Sequence, residues 1–386
     1  MENKKNFQEY KKLFNDICLR IEENFPFQSK KELKEFNNYC SIRYNTISNL
    51  NNDNDFFLFI KEFLVGLKHS HLGLDGFSYK LYSPKNYKVE LIDNKFYLFK
   101  NKKYLGQIIE VDDKKPEDIL KKAKKLISGS TEQYIQSQSL KFILTSKNSG
   151  LVKLKTKIDG KVSYGDIKRY PLTGLAKTKN IYYKFLENNI GYLKINLWID
   201  NKKTKAEINK VIKSFNKIKG LIIDLRNSQG GSSFVSDLLT SHFFNKKVLF
   251  GTNKRRISKE NLKLKKYYYH IHPKEPYFDK PIIILTNSQS FSSSELFVAG
   301  MQDNKRATIM GEITGGGTGN PKKFIFNYSS IELILYVPTW VYNKINNKLI
   351  EGIGIKPDVV IRPKLESLRN NIDEVLEKAV DKFKNL

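Results

Sequence analysis

The sequence predicts an α/β protein built on a covered, mostly parallel β-sheet, preceded by a helical region and a small β-rich module. Three observations carry this reading. From about residue 180, fully apolar runs such as GLIIDLR and PIIILTN alternate with amphipathic stretches at helical spacing. Up to about residue 75, apolar side chains recur every three or four positions. Between about 85 and 172 the apolar runs are short, β-like and separated by turn residues. The expected organisation is a helical region over 1–80, the β-rich module over 85–172, the α/β domain over 180–365 and a C-terminal helix over 366–386.

The elements follow in order. Phe7, Tyr10, Phe14, Ile17 and Ile21 mark one face of a first helix. Asp55 is the expected N-cap of a further helix carrying Phe56, Phe59, Ile60, Phe63, Leu64 and Leu67. It ends at LKHSHLGLDG, where two glycines and two histidines mark a loop. In the module, YKVELI, KFYLFK, GQIIEVD and LVKLKTKIDGKVSY read as strands, the last folded into a hairpin at Asp159-Gly160. PEDILKKAKKLI reads as a helix opened by Pro116. The α/β domain then runs IGYLKINLW (strand), KTKAEINKVIKSFNKIK (helix), GLIIDLR (strand), SSFVSDLLTSHFF (helix), PIIILTN (strand), SSELFVAGMQD (helix) and RATIMGE (strand). LRNNIDEVLEKAVDKF closes the chain as one amphipathic helix.

With 386 residues, 40% of them hydrophobic and 12% aromatic, the chain can bury the cores of two or three domains. No apolar run approaches the roughly eighteen residues of a membrane span, so none is expected. The start, MENKKNFQEYKKLFND, is basic but lacks the apolar stretch of a signal peptide, which makes the cytoplasm the expected location. The net charge of +28 comes from nine arginines and fifty-nine lysines, scattered rather than clustered. Phosphate and base recognition uses arginine and localised patches, so no specific nucleic-acid partner is expected. The charge can still attract acidic surfaces or anionic peptides. Cys18 and Cys40 have neither a CxxC partner nor nearby histidines and read as buried thiols.

Four short segments carry residue types capable of chemistry. NSQSFSSSELFVAG places Ser290, Ser292, Ser293 and Ser294 where a buried strand turns into a helix. Ligands bind at that edge of an open α/β sheet, and a helix N-terminus offers free N–H groups to an oxyanion. The same residues, Ser292 to Glu295, also fit an S-x-x-E capping box, so a cap and a nucleophile both remain open. DLRNSQGGSS has the same strand-to-helix setting; Gly230 and Gly231 allow close backbone approach to a ligand, and Asp224 and Arg226 can pair structurally. In KHSHLG, His69 and His71 would share a face if extended; no carboxylate or cysteine completes a metal set, and a general base is the alternative to a plain loop histidine. In KLIEGIGIKPDVVI, Glu351 could orient a histidine or simply lie in a surface turn.

Together, GYLKI, GLIIDLRNSQGG, PIIILTNSQSFSSSELFVAGMQDNKRATIMGEITGGG and EGIGIKPDVVI resemble the C-terminal-processing (tail-specific) serine peptidases over about 180 residues. The resemblance implies a Clp-protease/crotonase-like catalytic domain. It also implies a divergent PDZ-like module over 85–172, which would either bind a substrate's C-terminus by strand addition or serve as a regulatory lid or spacer. It selects Ser292 as nucleophile, with the Ser293 amide and an amide of Gly230 or Gly231 as oxyanion hole, and gives Glu295, Asp303 and Thr314 supporting roles. Many members carry a catalytic lysine at the position occupied here by Gly317. The chain is instead similar to the tricorn-core branch, which implies His71 as base and Glu351 as its supporting carboxylate. The function so implied is serine-type hydrolysis of a peptide or protein substrate through an acyl-enzyme, with no metal or organic cofactor. The alternative is an inactive member that binds a peptide or hydrophobic ligand.

Overall fold

A computed structural model describes residues 2–76, 81–172, 180–258, 261–328 and 331–384. The end of the expected helical region at 77–80 and the last two residues of the expected C-terminal helix lie outside them.

The N-terminal region holds α1 (Glu2–Asn24), α2 (Lys30–Tyr44), α3 (Asp53–Gly66) and the short strand β1 (Gly73–Asp75). The cap of α3 is Asn52 rather than the expected Asp55. Asn52 is extended, and its side chain accepts from the Asp55 amide at 3.0 Å. Asp55 is already helical, and its carboxylate reaches back to the Asn51 amide at 3.2 Å. The two Asx residues therefore cap reciprocally, and the acceptor-poor first turn begins three residues earlier than its apolar pattern.

The module comprises β2 (Tyr82–Ser83), β3 (Tyr87–Ile92), β4 (Lys95–Lys100), β5 (Lys103–Val111), α4 (Pro116–Lys124), α5 (Glu132–Ser139), β6 (Gly150–Ile158) and β7 (Lys161–Pro171). Its sheet is antiparallel in the order β2-β7-β6-β5-β4-β3. The Asp159-Gly160 turn is present, with φ of 47° and 87° at its two residues, the left-handed pair of a two-residue hairpin.

The remaining elements are β8 (Ile181–Leu186), β9 (Ile190–Ile195), α6 (Lys202–Ser214), β10 (Gly220–Asp224), α7 (Ser233–Ser241), β11 (Val248–Arg256), β12 (Leu264–Ile271), β13 (Ile282–Thr286), α8 (Ser293–Asp303), β14 (Thr308–Gly311), β15 (Lys322–Tyr328), β16 (Ile331–Val337), β17 (Trp340–Asn343), β18 (Val359–Val360), α9 (Leu365–Arg369) and α10 (Glu374–Lys384). The central sheet runs β18-β14-β13-β10-β9-β8, parallel from β18 to β9, with β8 antiparallel at its edge. Every residue of β10 and β13 is buried because both faces are covered. With the period of two, Ile222, Ile283 and Leu285 meet Val375, Ala379 and Phe383 of α10. Leu221, Ile223, Ile282 and Ile284 face the opposite way, into the core shared with α6, α7 and α8. Fully burying one such side chain is worth roughly 1.5–3 kcal/mol, so the two faces fix the register of these strands.

Two features depart from the expected organisation. The C-terminal helix is broken into α9 and α10. Asn371 takes a left-handed φ of 56°, and Asp373 caps α10 while its carboxylate receives the forked Arg226 guanidinium at 2.7 and 2.8 Å. The helical region also does not close its own core. Phe14, Phe56 and Phe63 pack with Phe326, Leu333, Leu335 and Val337 from the β15–β16 hairpin, and β1 adds to that hairpin beside β16. This shared core delivers the loop between α3 and β1, with both of its histidines, to the edge of the central sheet.

Candidate active site

The turn from β13 to α8 is held on three sides. The Ser290 hydroxyl donates to the Leu225 carbonyl at 2.8 Å, and the Phe291 amide donates to the Ser228 carbonyl at 2.9 Å, tying it to the turn after β10. Ser292 then adopts φ 58° and ψ −123°, a sparsely populated conformation for a side-chain-bearing residue. Its amide donates to the Gly317 carbonyl at 3.1 Å and to Glu295 Oε2 at 3.2 Å. Its hydroxyl lies 2.9 Å from His71 Nε2, across 221 residues of sequence. The neighbouring serines are engaged elsewhere. Ser293 donates to the Gly231 carbonyl at 2.5 Å. Ser294 accepts from Trp198 Nε1 at 2.8 Å and donates to Ser228 Oγ at 2.9 Å. The cap position and the histidine contact thus fall on one residue: Ser292 precedes the first helical residue and faces the His71 imidazole.

His71 is buried, its ring stacked on Phe291 at 4.8 Å and 13°. Burial pushes its pKa down to about 4; Glu351 pulls it upward and His69 pushes it further down. Near neutral pH the imidazole is uncharged, and with its proton on Nδ1 it can accept from the Ser292 hydroxyl through Nε2. His71 Nδ1 is buried with no protein partner.

Glu351 is bound to the backbone around His71 rather than to its ring. Its Oε1 accepts from the Ser70 amide at 3.0 Å and the Ser70 hydroxyl at 2.6 Å, and its Oε2 accepts from the Thr318 amide at 2.7 Å. Burial raises its pKa, but His69, 3.6 Å away through Nδ1, the Ser70 donors and His71 outweigh that and hold it below the usual carboxylate range. His69 and His71 do not share a face. The segment turns instead of extending, so one ring meets Glu351 and the other meets Ser292. Ser70 is the residue that sequence reasoning passed over. Its only signal is its position between the two histidines.

Gly230 takes φ +87°, and a Cβ there would lie 2.6 Å from Ser292 Cβ and 3.0 Å from the Ser293 amide nitrogen. That close approach brings the Gly230-Gly231 backbone beside the first N–H of α8, which has no acceptor within its helix. Gly231, Ser292 and Ser293 line a cleft of about 350 Å³ with Phe234, Thr318 and Trp340. Phe234 is 76% exposed at its rim, whereas Thr318 Oγ1 and Trp340 Nε1 are buried polar atoms with no partner. Asp224 and Arg226 pair structurally, joined by Lys194 at 3.0 Å and Asp373.

The supporting residues divide. The Glu295 carboxylate is fully buried and accepts from Thr314 Oγ1 at 2.5 Å and from the Gly316 and Gly317 amides, both at 2.8 Å. Burial raises its pKa, against the downward pull of these donors. Thr314 Oγ1 also accepts from the Ile355 amide at 2.7 Å. Asp303, at the far end of α8, pairs with Lys344 at 3.0 Å and lies outside this cluster.

Gly317 has no room for a side chain. A Cβ there would overlap the Phe291 ring and sit 2.5 Å from Ser70 Oγ. Phe291 cannot yield, because His71 covers one face of its ring and Tyr134 the other, at 4.4 Å and 17°. Lys322 and Lys323 begin β15 in exposed positions. Gly317→Lys is therefore expected to break the site rather than supply a base. Overpacking of about 1–3 kcal/mol should lower the melting temperature, and covalent labelling of Ser292 by a fluorophosphonate should slow. Faster labelling with an unchanged melting temperature would show that a lysine is accommodated.

A strand-to-helix serine, a neutral histidine within hydrogen-bond reach and a buried carboxylate behind it form the constellation of serine-type hydrolysis. Residues 189–361 match the model of peptidase family S41. That stretch contains Gly230, Gly231, Ser292 and Glu351, while His71 is contributed from outside it. A carboxy-terminal-processing protease of Bartonella bacilliformis is 30% identical over 211 residues, 52% of this chain and 45% of that protein. Carboxy-terminal processing protease CtpB of Bacillus subtilis is 25% identical over 178 residues, 45% of this chain and 34% of that protein. The matches thus span less than half the length of these curated relatives. The crystal structure of mature CPAF shares the fold with a TM-score of 0.80 over 98% of both chains, at 16% identity. The tricorn protease shares it with a TM-score of 0.53 over 98% of this chain and 37% of that one, at 14% identity. The Clp-protease-like α/β fold expected from the sequence is the fold of this chain.

Proposed function

We propose that this chain is a serine peptidase that hydrolyses peptide bonds through an acyl-enzyme on Ser292. The observation that carries the reading is the 2.9 Å approach of Ser292 Oγ to His71 Nε2 at a strained elbow opening a helix. Ser292 Oγ attacks the scissile carbonyl carbon while His71 Nε2 takes its proton. The carbonyl oxygen becomes an oxyanion facing the Ser293 amide and an amide of the Gly230-Gly231 pair. Collapse of the tetrahedral intermediate breaks the C–N bond, and His71 returns the proton to the leaving amine. Water, deprotonated by the same imidazole, then hydrolyses the ester. Each oxyanion donor is worth on the order of a hundred- to a thousandfold in rate.

Glu351 acts on this sequence in two ways. Its charge stabilises the imidazolium formed in each step, and its bonds to Ser70 and Thr318 fix the histidine loop. A bridging water between Glu351 and His71 Nδ1 would complete the relay and satisfy that buried nitrogen. The cleft beside Ser292, with the exposed Phe234 ring at its rim, is the place for a peptide substrate.

The test is reaction of the full chain with a fluorophosphonate, with the adduct mapped by mass spectrometry. A single adduct on Ser292, lost in Ser292→Ala, supports the reading. An adduct on Ser294, or no adduct on folded protein, overturns it.

A further inference from the structure

We propose that Ser130 and Tyr134, where the β-rich module enters α5, are positioning residues of the active site, so that the module completes the catalytic constellation. The proposal rests on the serine-hydrolase reading of Ser292, His71 and Glu351. Its first ground is one hydroxyl that touches three loops. Ser130 Oγ donates to the Gly316 carbonyl at 2.7 Å, accepts from the Gly352 amide at 3.1 Å and lies 3.2 Å from Ser70 Oγ. Those loops carry, in turn, the carbonyl of Gly317 that holds the Ser292 amide, the carboxylate of Glu351, and His71. Ser130 gives its proton to Gly316 and Ser70 gives its own to Glu351, so the two hydroxyl oxygens touch without a hydrogen bond between them, and Ser130 is bonded to the Gly316 and Gly352 loops. The flanking residues strengthen the joint. Thr131 Oγ1 donates to the Gly315 carbonyl at 2.5 Å, and Gln133 Nε2 to the Thr314 carbonyl at 3.2 Å.

The second ground is a stack of three rings. Tyr134 covers Phe291 at 4.4 Å, and Phe291 covers His71 at 4.8 Å, with interplanar angles of 17° and 13°. The outermost ring belongs to the module and the innermost is the base. Removing Tyr134 leaves one face of Phe291 unsupported, which frees the imidazole to tilt and admits water to it. Catalytic geometry tolerates little of this, since a displacement of about 1 Å costs on the order of a hundredfold in rate.

The same stack keeps the imidazole dry, and the charged groups facing it are Glu351, which raises its pKa, and His69, which lowers it. Wetting the ring in Tyr134→Ala moves the acid limb of reactivity upward, toward the ordinary histidine range near pH 6.5. A residue that served only stability would lower the melting temperature without moving that limb.

The experiment measures the rate of fluorophosphonate labelling of the full chain between about pH 4 and 8, with melting temperatures alongside. At neutral pH, Tyr134→Ala and Ser130→Ala are expected to label at least about tenfold more slowly than wild type. The acid limb rises in Tyr134→Ala, while Tyr134→Phe, which keeps the ring, and Ser130→Thr, which keeps the hydroxyl, retain most of the rate. If Tyr134→Ala fails to fold, Tyr134→Leu supplies apolar bulk without a stacking face and must show the same slowing. Wild-type rates and an unmoved acid limb in the folded alanine or leucine variants overturn the proposal. So does a loss in Tyr134→Phe equal to that in Tyr134→Ala, which would assign the effect to the hydroxyl. Wild type that fails to label at Ser292 removes the underlying reading of the site, and the proposal with it.

Discussion

Alanine at Ser292 or at His71 is expected to lower kcat/KM for peptide hydrolysis by on the order of 10⁴-fold or more, and the double variant should be no worse than either single one. The two side chains act as one unit, because among the described residues His71 Nε2 is the base that the Ser292 Oγ proton faces, at 2.9 Å. Residual turnover would come from the oxyanion donors and from binding. The pH profile is the sharper part of this prediction. Only the neutral imidazole can accept the serine proton, so kcat/KM rises as pH climbs through the His71 pKa. Burial holds that pKa near 4, so the acid limb falls well below the ordinary histidine range. Glu351→Gln removes the anion that raises the His71 pKa. It should therefore move the acid limb further down, while lowering the plateau by on the order of a hundredfold or more, since the imidazolium loses its counter-charge. A limb near pH 6.5 in wild type, or additive losses in the double variant, would mean that another group is the base. Kinetics on a fluorogenic peptide pool, run alongside the labelling assay, measures both.

What the sequence could say about this site follows from how local each signal is. The β13 strand, the turn into α8 and the capping pattern at Ser292 are contiguous, and all three were legible from PIIILTN and SSSE. The doubled glycine was legible for the same reason. Identifying His71 and Glu351 required the family resemblance, because 280 residues (351 − 71) separate them and no local rule joins them. Ser70 could be noticed only for lying between two histidines, and Phe291, Ser130 and Tyr134 left no trace that could be read. A tyrosine in a polar helix such as EQYIQSQS looks like any half-buried aromatic until it is seen lying against another ring. The three-stranded sheet β12-β11-β17 was missed because β11 and β12 carry several lysines and arginines and alternate only weakly, and β17 is four residues long. The break between α9 and α10 was hidden by an apolar pattern that continues across it; a left-handed Asn371 and the long-range bond from Arg226 to Asp373 decide the matter.

Glu295→Ala is expected to cost about 3–5 kcal/mol of stability and to reduce Ser292 labelling sharply, far beyond the loss of a helix cap. Cap deletions cost about 0.5–2 kcal/mol, because the freed amide usually reaches water. Glu295 has a different task. One carboxylate serves the Thr314 hydroxyl and the amides of Gly316, Gly317 and Ser292, and it is fully buried. Removing it strands the Gly316 and Gly317 N–H groups and the Thr314 hydroxyl in the interior, and leaves the Ser292 amide with the Gly317 carbonyl alone. Its contacts also close a circuit. The amide of Gly317 donates to Glu295 while the carbonyl of Gly317 receives the Ser292 amide, so the clamp that fixes the glycine loop fixes the nucleophile's strained φ as well. Glu295→Gln should fall between wild type and alanine. Each carboxylate oxygen accepts at least one backbone N–H, so either orientation of the amide sets its NH₂ against such a donor. Chemical denaturation of the three proteins, with labelling rates measured under folding conditions, separates the two roles. A loss near 1 kcal/mol with unchanged labelling would reduce Glu295 to a cap. The expected larger loss, with labelling falling in step from glutamate to glutamine to alanine, would make the serine-rich turn a single device in which the cap holds the nucleophile in place.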